Sequence, residues 1–167
     1  MKLVTKRTFA ASHRLPDHMG KCKGLHGHNW KVRVMMEGEQ IIKPGDPQNG
    51  MLVDFQNVKG IIDALDHSDL NILFNEDEPP TAENIARYLG YQLYRLQDNI
   101  HRVIVHIWES EDSFIEWDSE TDLELDYKIK ESLTESLSDV KTPEDVSKQR
   151  EANKDILNGD SDESESQ

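Results

Sequence analysis

A single cysteine, Cys22, stands in a chain of 167 residues. It has no internal partner, which excludes a small secreted domain held together by disulfides. No apolar run approaches the ~18–20 residues of a membrane-spanning helix. The first thirteen residues lack the apolar stretch of a signal peptide. Hydrophobic residues are only 35% of the chain and aromatics 7%, a low share for a globular protein. Positive charge is scarce as well: 19 Lys and Arg face 33 Asp and Glu, for a net charge of −14. That balance disfavours a general nucleic-acid binder, which needs basic groups to displace counterions. What remains is a soluble cytoplasmic chain with enough residues for one ordinary domain and little more. Its unusual possession is seven histidines beside the one cysteine.

The acidic charge is concentrated at one end. Residues 118–167 hold sixteen Asp and Glu against six Lys and Arg, and their one aromatic is Tyr127. Such a segment buries too little apolar surface to offset its ordering entropy. The expected organisation is a folded domain over 1–118 and a largely disordered acidic extension over 119–167. A marginal helix over 121–140 is the exception, because Ile129, Leu133 and Leu137 recur every four residues. Residues 1–33 are the opposite, with eight Lys and Arg against Asp17 alone. A lysine-dressed strand face explains this, and so does a local field for an anionic substrate.

Periodicity predicts the elements. Residues 2–13 alternate, with Phe9, Ala11 and His13 on one face. Residues 28–37 alternate too, with Trp30, Val32, Val34 and Met36 together. Met51–Val53 reads as a short strand. Asp54 caps a helix to about Leu65, and Thr81 caps a second whose stripe is Ile85, Ala86, Leu89, Leu93 and Leu96. Strands over 101–109 and 113–117 follow. The pattern is α+β: a four-stranded antiparallel sheet with two helices on one face. A sheet this small leaves edges open, and oligomerisation is one remedy.

The chemistry is densest at Cys22-Lys-Gly-Leu-His26-Gly-His28. Two residues apart on a strand, His26 and His28 project from one face. If the first two strands form a hairpin, His13 joins them. Three neutral imidazoles are a catalytic zinc set that leaves a fourth position free. Cys22 admits two functions: a fourth ligand, which would close the site, or a free thiol beside the metal acting as base or nucleophile, flanked by Lys21 and Lys23. Asp66 and His67 lie in a loop where an acid and an imidazole can share proton transfer, although adjacent side chains usually point apart. Glu109 falls in the inward row of Val103, Val105 and Ile107. A carboxylate there needs a donor, and a planar ring with a guanine-like edge offers two N–H groups. The competing explanation is that the strand has already emerged into solvent.

Together these residues resemble the 6-pyruvoyl-tetrahydropterin synthase / 6-carboxytetrahydropterin synthase family, of the tunnelling fold, over roughly residues 3–117. The resemblance rests on six segments in order: Phe9 through His13-Arg-Leu, Cys22 through His26-Gly-His28-Asn-Trp, Gly50 through Asp54-Phe, Leu65-Asp66-His67 through Leu-Asn71, Pro80-Thr81-Ala-Glu83-Asn, and Trp108-Glu109-Ser. Three residues between Cys22 and His26 look like the 6-carboxytetrahydropterin synthases of 7-deazaguanine (queuosine) biosynthesis. The tetrahydrobiopterin enzymes have a longer insertion, and folate-type variants use a glutamate in place of Cys22. Ser110 departs from the usual threonine but keeps the hydroxyl. The resemblance implies His13, His26 and His28 as Zn2+ ligands. It implies Cys22 as proton acceptor, Asp66 and His67 as the partner relay, Glu109 as pterin anchor, and Thr81 and Glu83 as further pterin contacts. It implies 7,8-dihydroneopterin triphosphate as substrate, with 6-carboxytetrahydropterin, acetaldehyde and triphosphate as products. It also implies a homo-oligomer, a hexamer built as a dimer of trimers, with active sites at subunit contacts. Two alternatives stay open. One is the sibling reaction, which eliminates triphosphate alone to give 6-pyruvoyl-tetrahydropterin. The other is a non-catalytic zinc-binding module with one cysteine and three histidine ligands.

Overall fold

The computed structural model describes residues 1–123. Two long strands, β1 (Lys2–His13) and β2 (His26–Gly38), form an antiparallel hairpin with twelve partnered residue pairs. Its register sets Phe9 opposite Trp30, Ala11 opposite His28 and His13 opposite His26. Opposed positions bring Cβ atoms to about 5 Å, so the register alone gathers the three histidines at one end of the sheet. The inward positions of β1, β2, β4 (Ile100–Trp108) and β5 (Phe114–Asp118) supply much of the core, including Phe9, Trp30, Val32, Val34, Val103 and Val105. Each such side chain contributes about 1.5–3 kcal/mol by leaving water.

Helix α1 (Phe55–Asp63) starts at Asp54, whose carboxylate accepts from Gln56 N–H at 2.8 Å. Helix α3 (Ala82–Tyr94) starts at Thr81, whose hydroxyl accepts from Asn84 N–H at 3.3 Å. Their buried stripes, Val58 and Ile62 on α1 and Ile85, Leu89 and Leu93 on α3, belong to the same core. In α3, Gly90 has a specific task. A Cβ there would lie 2.1 Å from Trp117 Cε3, so only glycine lets the indole of β5 lie against the helix.

The α+β reading holds, with one more strand than expected. The sheet has five strands, a short β3 (Ser68–Asp69) at one edge and the order β3-β1-β2-β4-β5. The short strand is not Met51–Val53. That segment folds onto its own loop, Ile41 N–H donating to the Met51 carbonyl and Gly50 N–H to the Ile41 carbonyl. Instead β3 (Ser68–Asp69) lies parallel to Ala11–Ser12 and leads into a short helix α2 (Leu70–Leu73). A two-residue parallel strand has no periodicity to read. The strand expected to reach Glu109 stops at Trp108. The acidic extension and the helix expected over 121–140 lie outside the described residues beyond Leu123, which itself packs against the core.

Candidate metal centre and active site

At the end of the hairpin the rings of His13, His26 and His28 stand 4.5–5.2 Å apart, centroid to centroid. The indole of Trp30 packs edge-on against His13 and His28 at 5.1 and 5.3 Å. His13 is 1% exposed. Its Nδ1 lies 2.7 Å from the Pro80 carbonyl, and His26 Nδ1 lies 2.7 Å from the Gly24 carbonyl. A carbonyl only accepts, so both rings carry their proton on Nδ1 and turn a lone pair on Nε2 to the centre. This is the arrangement that orients a metal-bound imidazole. Burial, the largest cause, holds the His28 imidazole below the usual histidine range, with smaller contributions of the same sign from His13 and His26 and an opposing one from Glu109. His28 is therefore kept neutral, the state a ligand needs.

Glu109 enters the same cluster. Its Oε1 is 3.2 Å from His13 Nε2 and 3.3 Å from His28 Nε2. One donor atom from each of His13, His26, His28 and Glu109 falls within 4.8 Å of all the others. A tetrahedral zinc shell with bonds near 2.0–2.2 Å separates neighbouring ligand atoms by about 3.3–3.6 Å. The two Nε2 atoms of His13 and His28 are buried without hydrogen-bond partners, a costly state that a cation would relieve. The group can hold a metal, and its donor set fits zinc. Glu109 stands just past the end of β4, its side chain 37% exposed, so it is a rim carboxylate rather than the buried one its place in the strand pattern suggested.

A cleft of about 290 Å³ opens beside this cluster. His13, Cys22, Thr81, Glu83 and Glu109 all line it, so five of the nine residues singled out from sequence meet on one surface. Cys22 sits in a 3-10 turn (Lys21–Lys23). It lines the cleft but is not part of the metal-binding group, which takes Glu109 where a cysteine was one option.

Asp66 and His67 lie elsewhere. His67 lines a second concavity with Ala10, Ser12, Gly27 and Asn29, outward positions of β1 and β2, and His28 of the metal-binding group borders that concavity too. Asp66 Oδ1 accepts from Ala10 N–H at 2.7 Å, and His67 N–H donates to the Ala10 carbonyl at 2.6 Å. His67 adopts φ 54°, the left-handed region a non-glycine residue rarely visits. That backbone turn brings two adjacent side chains, which ordinarily diverge, to 3.6 Å between His67 Nε2 and Asp66 Oδ2. The His67 side chain is 85% exposed. Nothing in the linear sequence signals this turn, nor the Pro80 carbonyl that orients His13. Trp30 was legible only as a core residue.

A family model of 6-pyruvoyl tetrahydropterin synthase matches residues 2–120. The chain belongs to this family. A 6-carboxy-5,6,7,8-tetrahydropterin synthase of Synechocystis is 36% identical over 90 residues, 52% of this chain and 69% of the relative. One of Haemophilus influenzae is 29% identical over 140 residues, 70% of this chain and 97% of the relative. The structure of Caenorhabditis elegans 6-pyruvoyl tetrahydropterin synthase superposes with a TM-score of 0.53 at 25% identity, covering 70% of this chain and 94% of that one. The fold is the tunnelling fold, and the family is one of pterin synthases. No helix among the described residues is long and apolar enough to cross a membrane.

Proposed function

We propose that the protein is a zinc-dependent 6-carboxy-5,6,7,8-tetrahydropterin synthase that converts 7,8-dihydroneopterin triphosphate and one water to 6-carboxytetrahydropterin, acetaldehyde and triphosphate for cytoplasmic 7-deazaguanine (queuosine) biosynthesis. The observation that carries the reading is the single cleft in which Cys22, Thr81, Glu83 and Glu109 adjoin the three-histidine cluster. His13, His26 and His28 would hold the ion through Nε2. Zinc bound there would act as a Lewis acid, making hydroxyl and neighbouring C–H protons of the substrate side chain more acidic. Cys22 takes the proton as general base. Glu109 accepts hydrogen bonds from the pterin edge, and Thr81 and Glu83 extend that contact.

Within one subunit His67 does not line the cleft of Cys22 but a second concavity, which His28 also borders. On this reading a second copy of the chain brings the Asp66–His67 relay to the Cys22 cleft, in an assembly formed through the open edges β3 and β5. A trimer, or a hexamer of two trimers, meets that requirement. Incubation of the zinc-loaded protein with 7,8-dihydroneopterin triphosphate, followed by mass spectrometry, tests the reading. 6-Carboxytetrahydropterin with acetaldehyde is the expected outcome. 6-Pyruvoyl-tetrahydropterin would assign the sibling reaction, and unchanged substrate would refute both.

A further inference from the structure

The loop between β1 and β2 carries, besides Cys22, a histidine that the pterin reading leaves without a task. His18 lines the same cleft, and its ring has a built seat. Gly20 N–H donates to His18 Nδ1 at 2.9 Å. Nδ1 is thus the acceptor, and Nε2 carries the proton and presents a donor. Gly20 also makes room for the ring, because a Cβ at that position would stand 2.9 Å from His18 Cε1 and 3.2 Å from Nδ1. The loop is closed on itself: Leu15 N–H donates to the Cys22 carbonyl at 2.8 Å, and His18 N–H to the Leu15 carbonyl at 3.0 Å. At its base Asn71 clasps Arg14, accepting from its N–H at 2.8 Å and donating to its carbonyl at 2.9 Å. His18 and Cys22 therefore ride together on one tied loop.

The charge of the cleft gives His18 its meaning. The titratable groups lining it are His13, His18, Cys22, Glu83 and Glu109. His13 is committed to Pro80 and the metal-binding group. The two carboxylates repel an anion, and a thiol does not attract one. His18 is the remaining donor, its Nε2–H left free by the Gly20 contact at Nδ1, and its side chain is exposed. Taking the substrate class from the pterin reading, on which this step rests, we propose that His18 binds the phosphate end of the substrate at the cleft mouth through Nε2, with Gly20 positioning its ring.

The test uses the zinc-loaded full chain and its His18→Ala, His18→Gln and Gly20→Ala variants. KM for 7,8-dihydroneopterin triphosphate is measured, and calorimetry gives the affinity for unphosphorylated 7,8-dihydroneopterin and for inorganic triphosphate. His18→Ala is expected to raise KM and weaken inorganic triphosphate about tenfold, the effect of one charge-assisted hydrogen bond near solvent. kcat and 7,8-dihydroneopterin affinity should stay within about twofold. His18→Gln, which keeps an N–H donor, should recover part of the loss, and Gly20→Ala should shift the same quantities as His18→Ala. If His18→Ala leaves every value unchanged, or weakens the unphosphorylated pterin equally, the assignment of His18 is wrong while the pterin reading stands. If the unmodified protein binds neither pterin, the pterin reading fails and takes this proposal with it.

Discussion

Glu109 belongs to the metal-binding group and lines the cleft beside it, and one substitution separates the two proposed duties. Its Oε1 lies 3.2 and 3.3 Å from the Nε2 atoms of His13 and His28, close to the ligand spacing of a tetrahedral zinc shell. As a fourth protein ligand, Glu109 would close the shell and leave no position for substrate. As a pterin anchor, it leaves the metal to three imidazoles. Glu109→Gln keeps the shape and removes the charge. The three histidines keep their geometry in this variant, because the carbonyls of Pro80 and Gly24 still orient His13 and His26. We therefore expect full zinc occupancy after gel filtration, measured by atomic absorption, with His26→Ala as the control that loses the ion. Pterin binding should fall. A carboxylate accepting from a planar ring makes hydrogen bonds worth about 1.5–3 kcal/mol each when charged. At a side chain 37% exposed, solvent reduces the pair to about 2–3 kcal/mol in all, or roughly 30- to 150-fold in Kd by fluorescence titration. Loss of zinc from Glu109→Gln together with intact pterin affinity would refute the reasoning and make Glu109 a ligand.

Four further outcomes are expected. Cys22→Ala should retain zinc and fold while losing turnover by about 10²–10⁴-fold, the span of a positioned general base; zinc loss would make the thiol a ligand. Mixing inactive Cys22→Ala and His67→Ala subunits by reversible dissociation should restore part of the activity, since some interfaces would then combine an intact Cys22 with an intact His67; no recovery would place the relay and the thiol in one subunit. Gly90→Ala should lower stability despite alanine's ~1 kcal/mol advantage in a helix, because Trp117 must move from a 2.1 Å clash at a cost of about 1–3 kcal/mol, and a raised melting temperature would contradict it. Asp118 is held below the usual carboxylate range chiefly by its hydrogen bond from Arg102, so its stabilisation is present above the unfolded pKa of about 3.9 and lost as pH falls through the lower folded value; Asp118→Asn should flatten that acid limb in urea titrations, and an unchanged limb would refute it.

The parts of the site that were legible in the sequence share a physical origin. His13, His26 and His28 lie on strands with period-two alternation, and a hairpin turns spacing into proximity once its register is set by the buried row Phe9, Ala11, Trp30 and Val32. Thr81 and Asp54 announced helix starts because a capping side chain is a local matter. The parts that were not legible depend on contacts without local periodicity. β3 exists because two residues after a left-handed turn meet the edge of β1. The Pro80 carbonyl meets His13 from 67 residues away. Glu109 was placed in a buried row because alternation does not say where a strand stops.

These limits bear on the site in one direction. Asp66 and His67 were legible as an acid and an imidazole in one loop, but the left-handed turn that brings them together was not. Asp66 and His67 are held at the edge of β1 by two hydrogen bonds to the Ala10 backbone, one from His67 N–H and one to the Asp66 carboxylate, and a left-handed residue is kept there at a cost of about 1–3 kcal/mol. Strain at a residue whose imidazole is 85% exposed points to a use for that ring. The arrangement is economical if that ring serves a cleft other than its own, and the two open edges of the sheet are the surfaces through which a neighbouring copy would reach it.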